Sequence, residues 1–128
     1  MVRSILLIDD DADEIEILNE AVEMTGSDST CNWAEGAEMA YGVLRVSRPD
    51  LILLDFNMPV HNGLVCLEEI KKKKELRHIP VIMYSTCIDS TLLREAMNKG
   101  AFGCIQKPVS VYDLVKELRN LFTRVWAQ

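Results

Sequence analysis

Asp9, Asp10, Asp55, Ser85 and Lys107 share one trait: each lies at or just past the end of a short apolar run. Asp55 is the sharpest case. Leu51-Ile52-Leu53-Leu54 reads as a strand buried on both faces, and it stops at a carboxylate. An unpaired charge buried there would cost several kcal/mol, so Asp55 must be wet, paired or metal-bound. Asp9-Asp10 closes the run 4–8, Ser85-Thr86 closes 80–84, and Gln106-Lys107-Pro108 closes 102–105. If these runs are parallel strands, their polar ends meet along one edge of a sheet, the edge where such sheets bind ligands. Like charges about 4 Å apart repel by several kcal/mol at an effective dielectric near 20, so three gathered acids call for a cation. Oxygen-only ligands favour Mg2+, for which Mn2+ can substitute. A metal and Lys107 to neutralise phosphoryl oxygens, with Ser85 to donate to one of them, leave Asp55 as the group placed to attack. The chemistry is phosphoryl transfer.

Those residues converge only if strands and helices alternate, and the pattern does so five times. Asp11 with Glu14 three residues on reads as a capping box for a first helix, with Ile15, Leu18 and Val22 inward and Gly26 as its stop. Residues 29–33 are a weaker second strand. A second helix follows Gly36, placing Ala37, Ala40, Tyr41 and Leu44 on one face and ending before Pro49. The third starts near Gly63, turns Leu67 and Ile70 inward and ends in the run 71–74. The fourth spans 90–99 with Gly100 as cap. The fifth runs from the N-cap Ser110 towards Val125 with Leu114, Leu118 and Leu121 inward. Strands separated by helices imply a parallel sheet of right-handed crossovers, an α/β doubly wound (βα)5 domain over 1–128 with no output domain after it.

The bulk numbers narrow the class. With 128 residues, 48% hydrophobic and 27% charged, the chain has room for one globular domain. A net charge of −6 argues against nucleic-acid and anionic-membrane partners. No apolar run nears the roughly 18 residues of a membrane span, and the N-terminus does not read as a signal peptide. Cys31, Cys66, Cys87 and Cys104 lack metal or disulfide spacing, which predicts free thiols and a cytoplasmic location. Asp9-x-Asp11-x-Asp13 imitates a calcium loop but has Glu14 where the glycine belongs. Asp11 reads as a helix cap, Lys71 to Lys74 as a solvated helix end, His61 as a surface-loop residue, His78 as having no metal-spaced partner, and Phe122 and Trp126 as packing.

Over nearly its whole length the sequence resembles the receiver domains of two-component response regulators. The matching residues are Ile8-Asp9-Asp10, Leu54-Asp55-Phe56-Asn57-Met58-Pro59, the Asn62-Gly63 turn, Ser85 and Lys107-Pro108. The resemblance implies a flavodoxin-like three-layer sandwich of strand order 2-1-3-4-5. It makes Asp55 the phosphoacceptor, supplied from a phosphohistidine on a sensor histidine kinase or histidine phosphotransfer protein. Asp10, Asp55 and the Asn57 backbone carbonyl would bind Mg2+, with Asp9 helping through water. Ser85 would be the switch hydroxyl and Lys107 the phosphate ion pair. The Lys107-Pro108 bond is expected to be cis. A downstream protein would read the fourth helix, fifth strand and fifth helix.

Cys104 departs from the pattern, standing where many members carry a Tyr or Phe that moves inward on phosphorylation. Such a chain is not a turnover enzyme; self-phosphorylation from small donors and slow self-dephosphorylation are the most it would do. Two other classes stay open. One is a phosphorylation-independent adaptor on the same fold. The other is a haloacid-dehalogenase-like phosphatase using Asp9-x-Asp11, for which the chain is short.

Overall fold

The computed structural model describes residues 3–58 and 62–126, so the expected surface position of His61 lies outside the described residues. The elements alternate as the apolar runs require: β1 (Ser4–Ile8), α1 (Ala12–Thr25), β2 (Thr30–Ala34), α2 (Ala37–Val46), β3 (Leu51–Leu54), α3 (Gly63–Lys72), β4 (Val81–Ser85), α4 (Ser90–Asn98), β5 (Gly103–Gln106) and α5 (Val111–Val125). All neighbouring strands are parallel, in the order β2-β1-β3-β4-β5. Ile8 stands opposite Leu54, Leu54 opposite Met83, and Ser85 opposite Gln106, so the strand ends share one edge.

Period-two alternation builds two cores, one on each face. Leu6, Ile8, Ile52, Leu54, Val81 and Met83 pack with Leu44, Leu67, Ile70 and Ala96 beneath α2, α3 and α4. Ile5, Leu7, Leu51, Leu53, Ile82 and Tyr84 pack with Leu18, Val22, Leu114, Leu118 and Leu121 beneath α1 and α5. Phe122 and Trp126 stack at 4.6 Å beside the second core. All four cysteines are free thiols, and burial pushes Cys31 and Cys66 up to about 11. Among the described residues no helix is long and apolar enough to cross a membrane.

Local chemistry sets the element ends. The Asp11 carboxylate accepts from the Asp13 N–H at 3.0 Å, Asn62 from Val65 at 3.0 Å, and Ser110 from Asp113 at 3.2 Å. Gly26 ends α1 at φ 80°. β4 starts one residue after Pro80, which has no N–H for the ladder, although its carbonyl accepts from Ile52 at 3.0 Å. Lys71 corrects the expected solvated helix end. Its ammonium donates to the carbonyls of Arg77 and Ile79, both at 2.9 Å, and burial lowers its pKa. The turn after α3 leaves those carbonyls without ladder partners, and the Lys71 ammonium supplies the donor.

Candidate functional site

Backbone pairing sets the two innermost acids. Asp9 donates its N–H to the Ala34 carbonyl at 3.1 Å, and Asp55 donates to Ile8 at 3.0 Å, which holds both residues side by side past the ends of β1 and β3. Asp9 is fully buried and Asp55 is 5% exposed, while Asp10 is exposed. One carboxylate oxygen from each of the three lies within 4.8 Å of the others. Lys107 follows β5 and is anchored by its N–H on the Ser85 carbonyl at 2.8 Å. From there its side chain reaches across β4 and β3. The ammonium stands 2.7 Å from Asp9 Oδ2, 3.6 Å from Asp55 Oδ2 and 3.7 Å from Glu14 Oε2, and 5.4 Å from the centre of the buried Tyr84 ring. The bond before Pro108 is trans, correcting the expected cis form; trans is the intrinsically favoured isomer even before proline.

The charges do not balance locally. Burial raises the Asp9 pKa despite its hydrogen bonds from Lys107 and the Asp11 N–H. Burial also raises Glu14, against the pull of Lys107. For Lys107, burial disfavours the ammonium, but Asp9, Asp55 and Glu14 together outweigh it and the pKa is raised. Asp9, Asp55 and Glu14 thus surround the Lys107 ammonium, and Asp10 adds a further acid beside Asp9 and Asp55, leaving an excess of negative charge on hard oxygen donors. That set fits a divalent cation such as Mg2+ and offers no soft ligand for other metals.

Two further residues shape the site. Ser85 is fully buried, and its Oγ has no hydrogen-bond partner among the described residues. Such an orphan costs about 1–3 kcal/mol, which leaves the hydroxyl with an unused donor. Gly63, at the start of α3, backs onto the peptide after Asp55. A Cβ there would lie 2.2 Å from the Asp55 carbonyl oxygen and 2.8 Å from Phe56 Cα, and the Gly63 N–H donates to the Phe56 carbonyl at 2.8 Å. Close approach, rather than a special φ, demands the glycine. The Asn57 N–H donates to Asp55 Oδ1 at 3.2 Å, so the chain at Phe56 and Asn57 folds back onto the carboxylate.

A family model for the response regulator receiver domain matches residues 5–119. The chain belongs to that family. The receiver domain is 32% identical over 122 residues to the phosphate regulon transcriptional regulatory protein PhoB of Pseudomonas aeruginosa, covering 95% of this chain and 52% of PhoB. It therefore spans about half the length of that relative. It is 30% identical over 125 residues to the polar-differentiation response regulator DivK of Brucella anthropi, covering 94% of this chain and 96% of DivK. The phosphorylated cyanobacterial phytochrome response regulator RcpA superposes with a TM-score of 0.88 at 26% identity, over 99% of this chain and 96% of RcpA. Receiver domains are signalling phosphoacceptors of two-component systems that bind a divalent metal and interact with histidine kinases and downstream effectors.

The structure brings Asp9, Asp10, Asp55 and Lys107 of this receiver domain together as their strand ends imply. Asp9 is hydrogen-bonded directly to Lys107. Asp11 serves as the α1 cap, so the phosphatase reading loses the second acid of its motif. Two neighbours escaped sequence reasoning. Glu14 was read as the far half of a capping box, but Asp9 Oδ1 takes the Asp11 N–H at 3.0 Å and the Glu14 carboxylate turns to Lys107. Trp33 Nε1 donates to the Asp9 backbone carbonyl at 2.7 Å. The only signal for Glu14 was its place in the first turn of a helix opening two residues after Asp10. Cys104 is half-buried against the core under α2, α3 and α4 and stands opposite Met83.

Proposed function

We propose that Asp55 of this receiver domain is the residue that accepts the phosphoryl group, from a phosphohistidine on a sensor histidine kinase or histidine phosphotransfer protein. The observation that carries the reading is the three-acid cluster within 4.8 Å, with the Lys107 ammonium 3.6 Å from Asp55. An Asp55 carboxylate oxygen attacks phosphorus, an O–P bond forms, the P–N bond breaks and the imidazole departs with a proton. Asp10, Asp55 and the Asn57 backbone carbonyl would hold Mg2+, with Asp9 acting through water, and the cation supplies charge neutralisation for phosphoryl oxygens. Lys107 leaves Asp9 to pair with one phosphoryl oxygen. Ser85 donates its free hydroxyl to another, drawing the β4–α4 loop inward.

That movement is read on the face formed by α4, β5 and α5. Leu93 and Met97 are exposed there, Phe102 lies under the Arg124 guanidinium at 5.3 Å, and Tyr112 is 69% exposed. A downstream protein fits this largely apolar surface better than nucleic acid or a membrane does, given the net charge of −6. The free thiols suit a cytoplasmic setting. Incubation with acetyl phosphate and Mg2+ should label the wild-type protein one-to-one. Asp55→Asn should abolish the label, and full labelling of that variant would refute the assignment.

A further inference from the structure

Glu14 is a carboxylate that the helix itself does not explain. An acid in the first turn of α1 is usually accounted for by the helix dipole or by a capping box. Here Asp11 caps the helix, and Asp9 Oδ1 occupies the Asp11 N–H that a capping-box glutamate would take. The Glu14 side chain is 15% exposed and lies 3.7 Å from the Lys107 ammonium, almost the same distance as Asp55 at 3.6 Å. Lys107 has three N–H groups, and one is committed to Asp9 at 2.7 Å. The two that remain face Glu14 and Asp55 at nearly equal distance, while the buried Tyr84 ring closes another side of the ammonium.

We propose that Glu14 is a positioning residue that, together with Asp9, restrains the Lys107 ammonium until a phosphoryl group draws it across. The proposal rests on the phosphoacceptor reading of Asp55 for its consequence, but not for its geometry. Glu14 has the longer and freer side chain, with no hydrogen bond of its own to the ammonium, so it is the partner able to let go. Removing its charge leaves Lys107 less restrained and takes one negative charge from the approach of an anionic donor. Capture of the phosphoryl group should become faster.

The test uses the metal-free protein first. Limiting N-hydroxysuccinimidyl acetate is applied to wild type and to Glu14→Gln, and acetylation is read by peptide mass spectrometry against the exposed Lys72. Lys107 acetylation should rise roughly threefold in the variant, the factor that a partly exposed ion pair is worth. Lys71, held by two carbonyls, should not change, which reports an intact fold. Unchanged Lys107 reactivity would overturn the proposal, as would an equal rise at Lys71. In the second arm, Glu14→Gln should take phosphate from acetyl phosphate several-fold faster at saturating Mg2+. An equal or slower rate would overturn the restraining role. If wild type takes no label at all, the reading of Asp55 fails, while the acetylation arm still decides whether Glu14 restrains Lys107.

Discussion

On one side of the sheet, α1 buries Leu18, Ala21 and Val22 and α5 buries Leu114, Val115, Leu118 and Leu121, whereas α4 on the other side buries Ala96 alone. The residues that gather charge, Asp9, Glu14 and Lys107, stand at the end of the side covered by α1 and α5 or are tied to it. α4 is held mostly at its far end, by the Ala101 N–H on the Ala96 carbonyl at 3.0 Å and by an exposed Lys99–Glu68 ion pair at 3.0 Å. Its near end has the Asp89 cap, with Leu92 and Ile88 only partly buried. A site must keep its charges in place, and a reporter must be able to shift for a few kcal/mol. The fold assigns those demands to different helices.

The comparison can be broken most severely at Gly63, where the site's loop meets α3. Gly63→Ala would press a methyl into the Asp55 carbonyl, and it should cost about 3 kcal/mol or more in urea unfolding and slow labelling as well. Leu18→Ala, in the α1 core, should cost about 2–5 kcal/mol, while Leu93→Ala on α4 should stay within about 0.5 kcal/mol. Similar costs for the two would remove the asymmetry. Amide hydrogen exchange sharpens the same point: α4 should exchange well before α1 and α5.

Ser85→Ala should be neutral or stabilise the unphosphorylated protein by up to about 1 kcal/mol, because it removes a hydroxyl that has no partner. The same variant should lose the phosphorylation-induced change in α4 exchange. The smallest effect concerns pH. The folded pKa of Lys107 is raised, so its contribution is complete below the ordinary lysine range and fades as pH rises through the higher folded value. Asp9 is also raised, so its ionised form opposes folding, and stability gains as pH falls through that raised value. Melting temperatures of wild type and Lys107→Met should therefore draw together as pH rises into the strongly alkaline range.

Much of this molecule was legible from local pattern. The run Leu51 to Leu54 reads as a doubly covered strand, and once five strand-like runs alternate with helices, the parallel sheet brings Asp9, Asp55, Ser85 and Lys107 to one edge. Strand and helix periods are set within a few residues, so the chain's own order determined the fold class and the membership of the site. Through-space pairing is different. That Lys107 hydrogen-bonds Asp9 rather than Asp55, that Glu14 leaves its helix cap to join them, that Lys71 buries its ammonium, and that Gly63 serves close approach rather than a turn were decided by the crossovers. Those contacts depend on distances of a few ångströms between segments up to 98 residues apart in the chain. Only packed layers set such distances, because a short-range pattern carries no information about which side chain will meet which across a sheet.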